Sequence, residues 1–146
     1  MARDGQIDYP DGVAYDAKAH RVFVSGEYGG RDAVIDAKTN TLVTSIRLGG
    51  GAGNTVYDPG SGHILVAVHG RNEEVAIDPA TAKIMGRYPT TGAKEPHGIA
   101  LDIANRLAFV SGSDNHTSVV LDRKSTSLTS RRANTPDACF SWKQHT

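Results

Sequence analysis

The sequence predicts an all-β protein built from three similar units, because two columns of residues recur along it at nearly constant spacing. The first column comprises Val34-Ile35-Asp36, Ala76-Ile77-Asp78 and Val120-Leu121-Asp122, separated by 42 and 44 residues. The second comprises Val13-Ala14-Tyr15-Asp16, Thr55-Val56-Tyr57-Asp58 and Ile99-Ala100-Leu101-Asp102, at the same two intervals. Repeats of this length are typical of β-propeller blades, each a four-stranded antiparallel sheet.

Within each unit, short β-branched runs are bounded by Gly, Pro, Asp and Asn, which is the pattern of strands and turns. In the first unit this pattern predicts strands over residues 12–15, 21–25, 33–35 and 42–48. The two additional residues of the longer interval are expected in the connection 88–92, which is rich in turn-forming residues. No segment shows the periodicity of an amphipathic helix.

One aspartate closes the first and the third predicted strand of every unit. An Asp side chain accepts hydrogen bonds from backbone amides two residues further on, so it favours a turn. We therefore interpret these aspartates as turn formers, without a catalytic role. They are Asp16, Asp36, Asp58, Asp78, Asp102 and Asp122.

The residues that follow the first aspartate of each unit resemble the YVTN repeat of YncE-like β-propellers. The matching segments are Arg21-Val22-Phe23-Val24-Ser25-Gly26, Leu65-Val66-Ala67-Val68 and Phe109-Val110-Ser111-Gly112, and Pro96-His97-Gly98-Ile99-Ala100-Leu101-Asp102 is similar to the start of a blade in that family. The resemblance extends from about residue 10 to residue 128, with Phe-Val-Ser-Gly or Leu-Val-Ala-Val in place of Tyr-Val-Thr-Asn. It implies a ring of about seven blades, of which this chain holds three, and a parent protein that is periplasmic or secreted.

The predicted organisation is a partial propeller over residues 1–130, with repeats at about 10–51, 52–93 and 94–130. A tail over residues 131–146 lacks strand alternation and contains Cys139 and Trp142, the single Cys and Trp of the chain. The outer strand of the third unit lacks the apolar residues of the other units. Because three blades cannot close a ring, we expect a fragment of a longer protein. On its own, such a fragment either self-associates through its open blade flanks or is marginally stable.

Composition argues against several classes of partner. Lys plus Arg and Asp plus Glu number sixteen each, so no long-range field favours nucleic acid or an acidic membrane surface. The first residues lack the apolar run of a signal peptide, and no stretch is long enough for a membrane span. The compartment and the cofactor both stay open.

Candidate binding residues lie in the loops that enter the first strand and leave the second strand of each unit, which share one face of the blades. These loops are polar and differ between units, as expected of a binding face on a repeated scaffold. The candidates are Asp11, Asn54, His97, Glu27, Arg31, His69, Arg71, Asn72, Glu73, Asp114 and His116.

His97 is the strongest single candidate for chemistry, because an imidazole can bind a metal or transfer a proton near neutral pH. Together with His69 and a carboxylate such as Glu73, it would offer ligands suited to a divalent metal. The alternative interpretation is that Pro96-His97-Gly98 forms a turn whose imidazole bonds a neighbouring loop.

The sequence thus leaves two main functions open. The first is a non-catalytic scaffold that binds a protein or small-molecule ligand through its loops. The second, implied by the resemblance, is a lactonase- or lyase-type propeller enzyme with a metal or histidine site in the central channel. Binding of single-stranded nucleic acid ranks last, since the loops provide neither a basic groove nor aromatic stacking platforms.

Overall fold

A computed structural model of the chain describes residues 9–123 and 129–132. Its twelve strands form three antiparallel sheets in the orders β1-β2-β3-β4, β5-β6-β7-β8 and β9-β10-β11-β12. The strands are β1 Pro10–Asp16, β2 Arg21–Gly26, β3 Arg31–Asp36, β4 Thr41–Arg47, β5 Thr55–Asp58, β6 His63–Val68, β7 Glu73–Asp78, β8 Lys83–Pro89, β9 Pro96–Asp102, β10 Leu107–Gly112, β11 Thr117–Asp122 and β12 Thr129–Arg132. A single 3-10 turn, His69–Arg71, joins β6 to β7. No helix of the described residues is long and apolar enough to cross a membrane.

Each sheet is a propeller-type blade, as the repeat predicted. In the first sheet the four strands begin and end within two residues of the predicted ranges. The repeat extends to irregularities of the backbone: the register between the third and fourth strands shifts between Val34 and Ile35 in the first sheet and between Ala76 and Ile77 in the second. The same local kink in both sheets shows that they are copies of one unit.

The outer strand of the third sheet forms despite its polar sequence. β12 pairs antiparallel with β11, and Asp122 lies opposite Thr129. Backbone pairing alone is sufficient for a short edge strand, because every ladder hydrogen bond comes from main-chain groups. The remainder of the predicted tail, residues 133–146, lies outside the described residues.

The second sheet packs against a neighbour on both of its faces. One face, with Ile64, Val66 and Ile77, forms an apolar cluster with the first sheet. The opposite face, with Leu65 and Ala76, forms a separate cluster with the third sheet. Because successive side chains of a strand point to opposite faces, β6 and β7 need apolar residues at nearly every position.

Within residues 9–123 and 129–132, the first and third sheets are covered on one face only. Three residues that occupy the same place in β2, β6 and β10 show the difference: Phe23 and Leu65 are 0% and 4% exposed, whereas Phe109 is 41% exposed. On the free face of the first sheet, Val13 and Tyr15 are exposed as well. The stack therefore ends in two partly apolar sheet faces.

The repeated aspartates form turns, as predicted. Asp16 accepts a hydrogen bond from the Lys18 amide at 2.9 Å, and Asp36 accepts one from the Lys38 amide at 2.8 Å. Asp58 and Asp78 accept equivalent bonds, and Asp102 accepts one from the Asn105 amide, three residues further on. Residues 124–128, which include the rest of the turn after Asp122, lie outside the described part of the chain.

Asp58 has a second role, because it links two blades. Its carboxylate forms an ion pair with Arg123 of the third sheet, and both side chains are largely buried. The first and second sheets are joined at the same end by Arg21, whose guanidinium donates to the carbonyl oxygens of Pro79 and Ala80, each at 2.8 Å. Polar contacts thus supplement the apolar packing at the end where the aspartate turns lie.

Each interface between sheets also contains a buried acid at the second position of the third strand. Asp32 lies between the first and second sheets, where its Oδ2 is 3.5 Å from the Thr55 hydroxyl and its Oδ1 has no partner. Glu74 belongs to the second sheet and lies on the side of the third, and neither of its carboxylate oxygens has a hydrogen-bond partner. Burial raises the pKa of Asp32 to about 7 and that of Glu74 to about 8.

These raised pKa values predict a protein that loses stability as the pH rises. The folded state binds a proton at Glu74 more tightly than the unfolded chain does. The contribution of this proton to the free energy of unfolding is therefore complete below the ordinary pKa of 4.5 and is lost as the pH rises through about 8. We expect Glu74→Gln to flatten this dependence, by about 5 kcal/mol at most, since the pKa rises from 4.5 to about 8 and one pKa unit corresponds to about 1.4 kcal/mol. Urea unfolding between about pH 5 and about pH 9 measures the effect.

Glu95→Gln is the matched control, because it removes a carboxylate from an exposed position. A slope of unfolding free energy against pH that is the same in Glu74→Gln and in the parent chain would show that Glu74 does not hold its proton in the folded state.

Candidate functional site

The two ends of the blades differ in their chemistry. We call the end at which each first strand begins and each second strand ends the upper end, and the opposite end the lower end. At the lower end, the aspartate side chains are occupied by hydrogen bonds within their own turns. At the upper end, three polar side chains from three different blades meet, and we call them the upper cluster: Asp11, His69 and His97.

Asp11 and His97 meet although they belong to the first and the third sheet. The His97 Nε2 lies 3.6 Å from the Asp11 Oδ2, and the two side chains are 36% and 27% exposed. They occupy the same place in their units, and the second unit has Gly53 there. A Cβ at Gly53 would lie 2.9 Å from the His97 ring, which is too close for an unstrained contact. The absence of a side chain at Gly53 thus lets the two groups approach each other across the second blade.

The backbone fixes the position of His97. Its carbonyl oxygen accepts a hydrogen bond from the Asn54 amide at 2.9 Å, and the neighbouring Gly53 amide donates to the Ala67 carbonyl at 2.9 Å. The Ala67 amide in turn donates to the Asn54 carbonyl at 3.0 Å. Asn54, a predicted site residue, therefore supports the cluster through its main chain.

His69 completes the upper cluster by stacking on His97. The two imidazole rings have centroids 5.9 Å apart and planes inclined by 14°. The His69 Nε2 is 3.1 Å from the Glu27 carbonyl oxygen of the first blade. Gly51 leaves room for this contact, because a Cβ there would lie 2.1 Å from that oxygen and 2.5 Å from the His69 ring. The contribution of Glu27 is thus its carbonyl group.

One nitrogen of His97 is directed at a protein group. Nε2 faces Asp11, and Nδ1 lies beside Gly53. A general acid or base needs one nitrogen aimed at the reacting atom while a second group orients the ring. The partly exposed edge of the cluster instead presents a carboxylate and two ring surfaces, an arrangement suited to hydrogen bonding and packing with a ligand.

The structure does not bring Glu73 into the upper cluster. Its Oε1 accepts hydrogen bonds from the Arg71 Nε, at 2.9 Å, and from Arg87. Arg87 also donates to the Leu48 carbonyl of the first blade at 2.9 Å, so the group joins two blades. Among residues 9–123 and 129–132, no three His, Cys, Asp or Glu side chains are placed to hold a metal ion.

The remaining predicted residues lie in the loops around the cluster. The Asn72 Oδ1 accepts a hydrogen bond from the Glu95 amide at 2.7 Å, which ties the second blade to the third. Asp114 and His116 are exposed in the loop after β10, and His116 has a φ of 52°. Asn72 occupies the same place in its own unit with a φ of 53°, so this backbone shape belongs to the repeat.

Sequence reasoning missed Gly53, although the repeat contains the signal. Aligning the units on their aspartates places Gly53 in the column of Asp11 and His97. A glycine between two polar residues in such a column indicates that side chains of the flanking blades can meet across it.

Known structures share this fold. Hydrazine synthase from Kuenenia stuttgartiensis matches with a TM-score of 0.72 and 14% identity, over 92% of this chain and 38% of that one. A protein from Lactobacillus plantarum matches with a TM-score of 0.74 and 16% identity, over 84% of this chain and 41% of that one. Both are propeller-like, so the chain has a β-propeller-type fold and spans about two fifths of each of these structures. No family model and no curated protein matches the sequence.

The position of Gly53 yields a test of the site geometry. We expect Gly53→Ala to lower the unfolding free energy by about 1–3 kcal/mol, the usual cost of overpacking, and to displace the His97 ring. Urea unfolding and the NMR signals of the His97 and His69 imidazoles measure the two effects.

Gly60→Ala is the control, since Gly60 lies in an exposed turn at the lower end and a Cβ there would meet only Asp58 Oδ1, at 3.2 Å. Unchanged stability and unchanged imidazole signals in Gly53→Ala would contradict the contact of Asp11 and His97 across this residue.

Proposed function

We propose that the chain is a YVTN-type, YncE-like propeller module that binds a small polar ligand at its upper end. The observation that carries this proposal is the upper cluster, in which Asp11, His69 and His97 come from three blades and remain partly exposed. Polar groups that converge from separate elements of a rigid scaffold are the usual construction of a binding site.

The contrast between the two ends supports this proposal. At the lower end, the carboxylates bond the backbone of their own turns, and Asp58 is buried against Arg123. Polar groups satisfied in this way have little capacity left for a ligand. The upper cluster contains a carboxylate with one ion-pair partner, His97, and that partner is charged only when protonated.

A binding role agrees better with the geometry than lactonase or lyase chemistry does. Among the described residues, no three His, Cys, Asp or Glu side chains are placed to hold a metal ion, and Glu73 is bound by Arg71 and Arg87. The neighbouring His69 has its Nε2 at the Glu27 carbonyl. The cluster offers a carboxylate and two imidazole rings, groups that recognise a polar ligand by hydrogen bonding and packing.

We propose further that these blades form part of a longer ring, with additional blades of the same repeat covering the two terminal faces. The support is the repeat itself: Phe109 and Tyr15 are exposed, whereas Phe23 and Tyr57, in the same places of other units, are buried or partly buried at the sheet interfaces. A chain that holds these three blades alone would cover the same faces by self-association.

Chemical-shift mapping tests the proposed binding end. The 15N-labelled chain is titrated with three small probes that differ in chemistry: acetate, ethylammonium and glycerol. We expect ethylammonium or glycerol, which donate hydrogen bonds to a carboxylate, to shift the amide signals of Gly12, Asn54 and Gly98 at the upper end. The same probes should leave the signals of the lower turns unchanged.

The matched variants are Asp11→Asn and Asp36→Asn, since Asp36 ends β3 at the lower end. Asp11→Asn removes the carboxylate that accepts from the probe and should remove the shifts, whereas Asp36→Asn should preserve them. Shifts that concentrate at the lower turns, or that persist in Asp11→Asn, would refute the proposed site.

A further inference from the structure

Two arginines lie directly opposite each other at the upper corner of the first blade. Arg31 is the first residue of β3 and Arg47 the last residue of β4, and the two are paired in the antiparallel register. Like charges in directly opposed positions destabilise a sheet. Neither guanidinium forms an ion pair or a hydrogen bond with a described residue, so the protein does not offset this repulsion internally.

The repeat does not require this pair. In the second blade the same two places are held by Glu73 and Pro89, which are also opposite each other. Glu73 is there neutralised by Arg71 and Arg87. At this corner of the second blade, the charge is thus neutralised by internal ion pairs. At the same corner of the first blade, two positive charges have no counterion among the described residues.

The two arginines line a pocket of about 320 Å³. Its lining is formed by Tyr28, Gly29, Gly30, Arg31, Arg47, Gly49, Gly50 and Gly51. Five of these residues are glycines, which leave the backbone accessible, and none is acidic. Such a volume is at the lower end of the range for organic ligands.

Neighbouring residues shape the pocket without neutralising it. The aliphatic part of Arg71 passes close to Gly49 and Gly50, but its Nε is bound to Glu73. The exposed ring of Tyr28 packs at a tilt against Tyr9, with centroids 5.5 Å apart. The pocket therefore combines two available guanidinium groups with an aromatic wall.

We propose that this pocket binds the phosphate group of a small organic phosphate monoester. A guanidinium donates two parallel hydrogen bonds to a phosphate, and two arginines match its double negative charge. The Tyr28 ring would pack against the organic part of the ligand. This site adjoins the upper cluster at Gly51 but uses different side chains, and it does not depend on the function proposed for the cluster.

Calorimetric titration of the full chain with phenyl phosphate, inorganic phosphate and benzoate tests this assignment. We expect phenyl phosphate to bind most tightly, inorganic phosphate more weakly, and benzoate most weakly. Arg31→Gln and Arg47→Gln should each weaken phenyl phosphate binding by roughly tenfold or more. Lys83→Gln, which removes an exposed cation at the lower end, is the control and should bind as the parent chain does.

Thermal unfolding separates a lost site from a lost fold. Without ligand, Arg31→Gln should melt at the same temperature as the parent or higher, because it removes a repulsion. Phenyl phosphate should raise the melting temperature of the parent, and at the same concentration it should raise that of Arg31→Gln less.

Three results would overturn the assignment. If benzoate bound as tightly as phenyl phosphate, the pocket would be a carboxylate site. If inorganic phosphate bound as tightly as phenyl phosphate, the pocket would recognise the phosphate group alone and make no contact with an organic part. Absence of binding, or binding that both arginine variants retain, would refute the site itself.

Discussion

Packing of the second sheet between its two neighbours is the interaction on which the rest of the structure depends. Side chains of β6 and β7 alternate between two apolar clusters, one shared with each adjacent sheet. Burying both faces fixes the distance and orientation of three blades at once, since close-packed interiors tolerate little displacement. Polar groups on different blades can then meet with defined geometry. Asp58 and Arg123 do so at the lower end, and Asp11 and His97 do so at the upper end.

The same packing explains why a site forms although no single blade contains one. Each unit contributes one or two polar groups at its upper end, and the glycine at position 53 removes the side chain that would separate the first blade from the third. The strands are the same in each unit, and the polar residues at the upper end differ between units and give each blade different chemical groups. The first blade has opposed arginines where the second has Glu73 in an ion-paired network, so equivalent corners differ in charge.

Strands and turns could be predicted because they rest on local chemistry repeated three times. The aspartate of each turn bonds amides two residues away, and this bond is encoded within four residues of sequence. The contacts of the site depend instead on distances between blades. Nothing near Glu73 in the sequence indicates that Arg87 neutralises it, and nothing near Asn54 shows that its amide bonds His97. The burial of Glu74 without a partner likewise follows from the third blade.

The most direct test of the stacked arrangement compares two phenylalanines in the same place of different blades. Phe23 is buried between the first and second sheets, whereas Phe109 lies on the free face of the third. The unfolding free energies of Phe23→Ala and Phe109→Ala are measured at a concentration at which sedimentation shows a monomer. The stacking account predicts a loss of about 3–5 kcal/mol for Phe23→Ala and about 1 kcal/mol or less for Phe109→Ala. Equal losses at the two positions would contradict it.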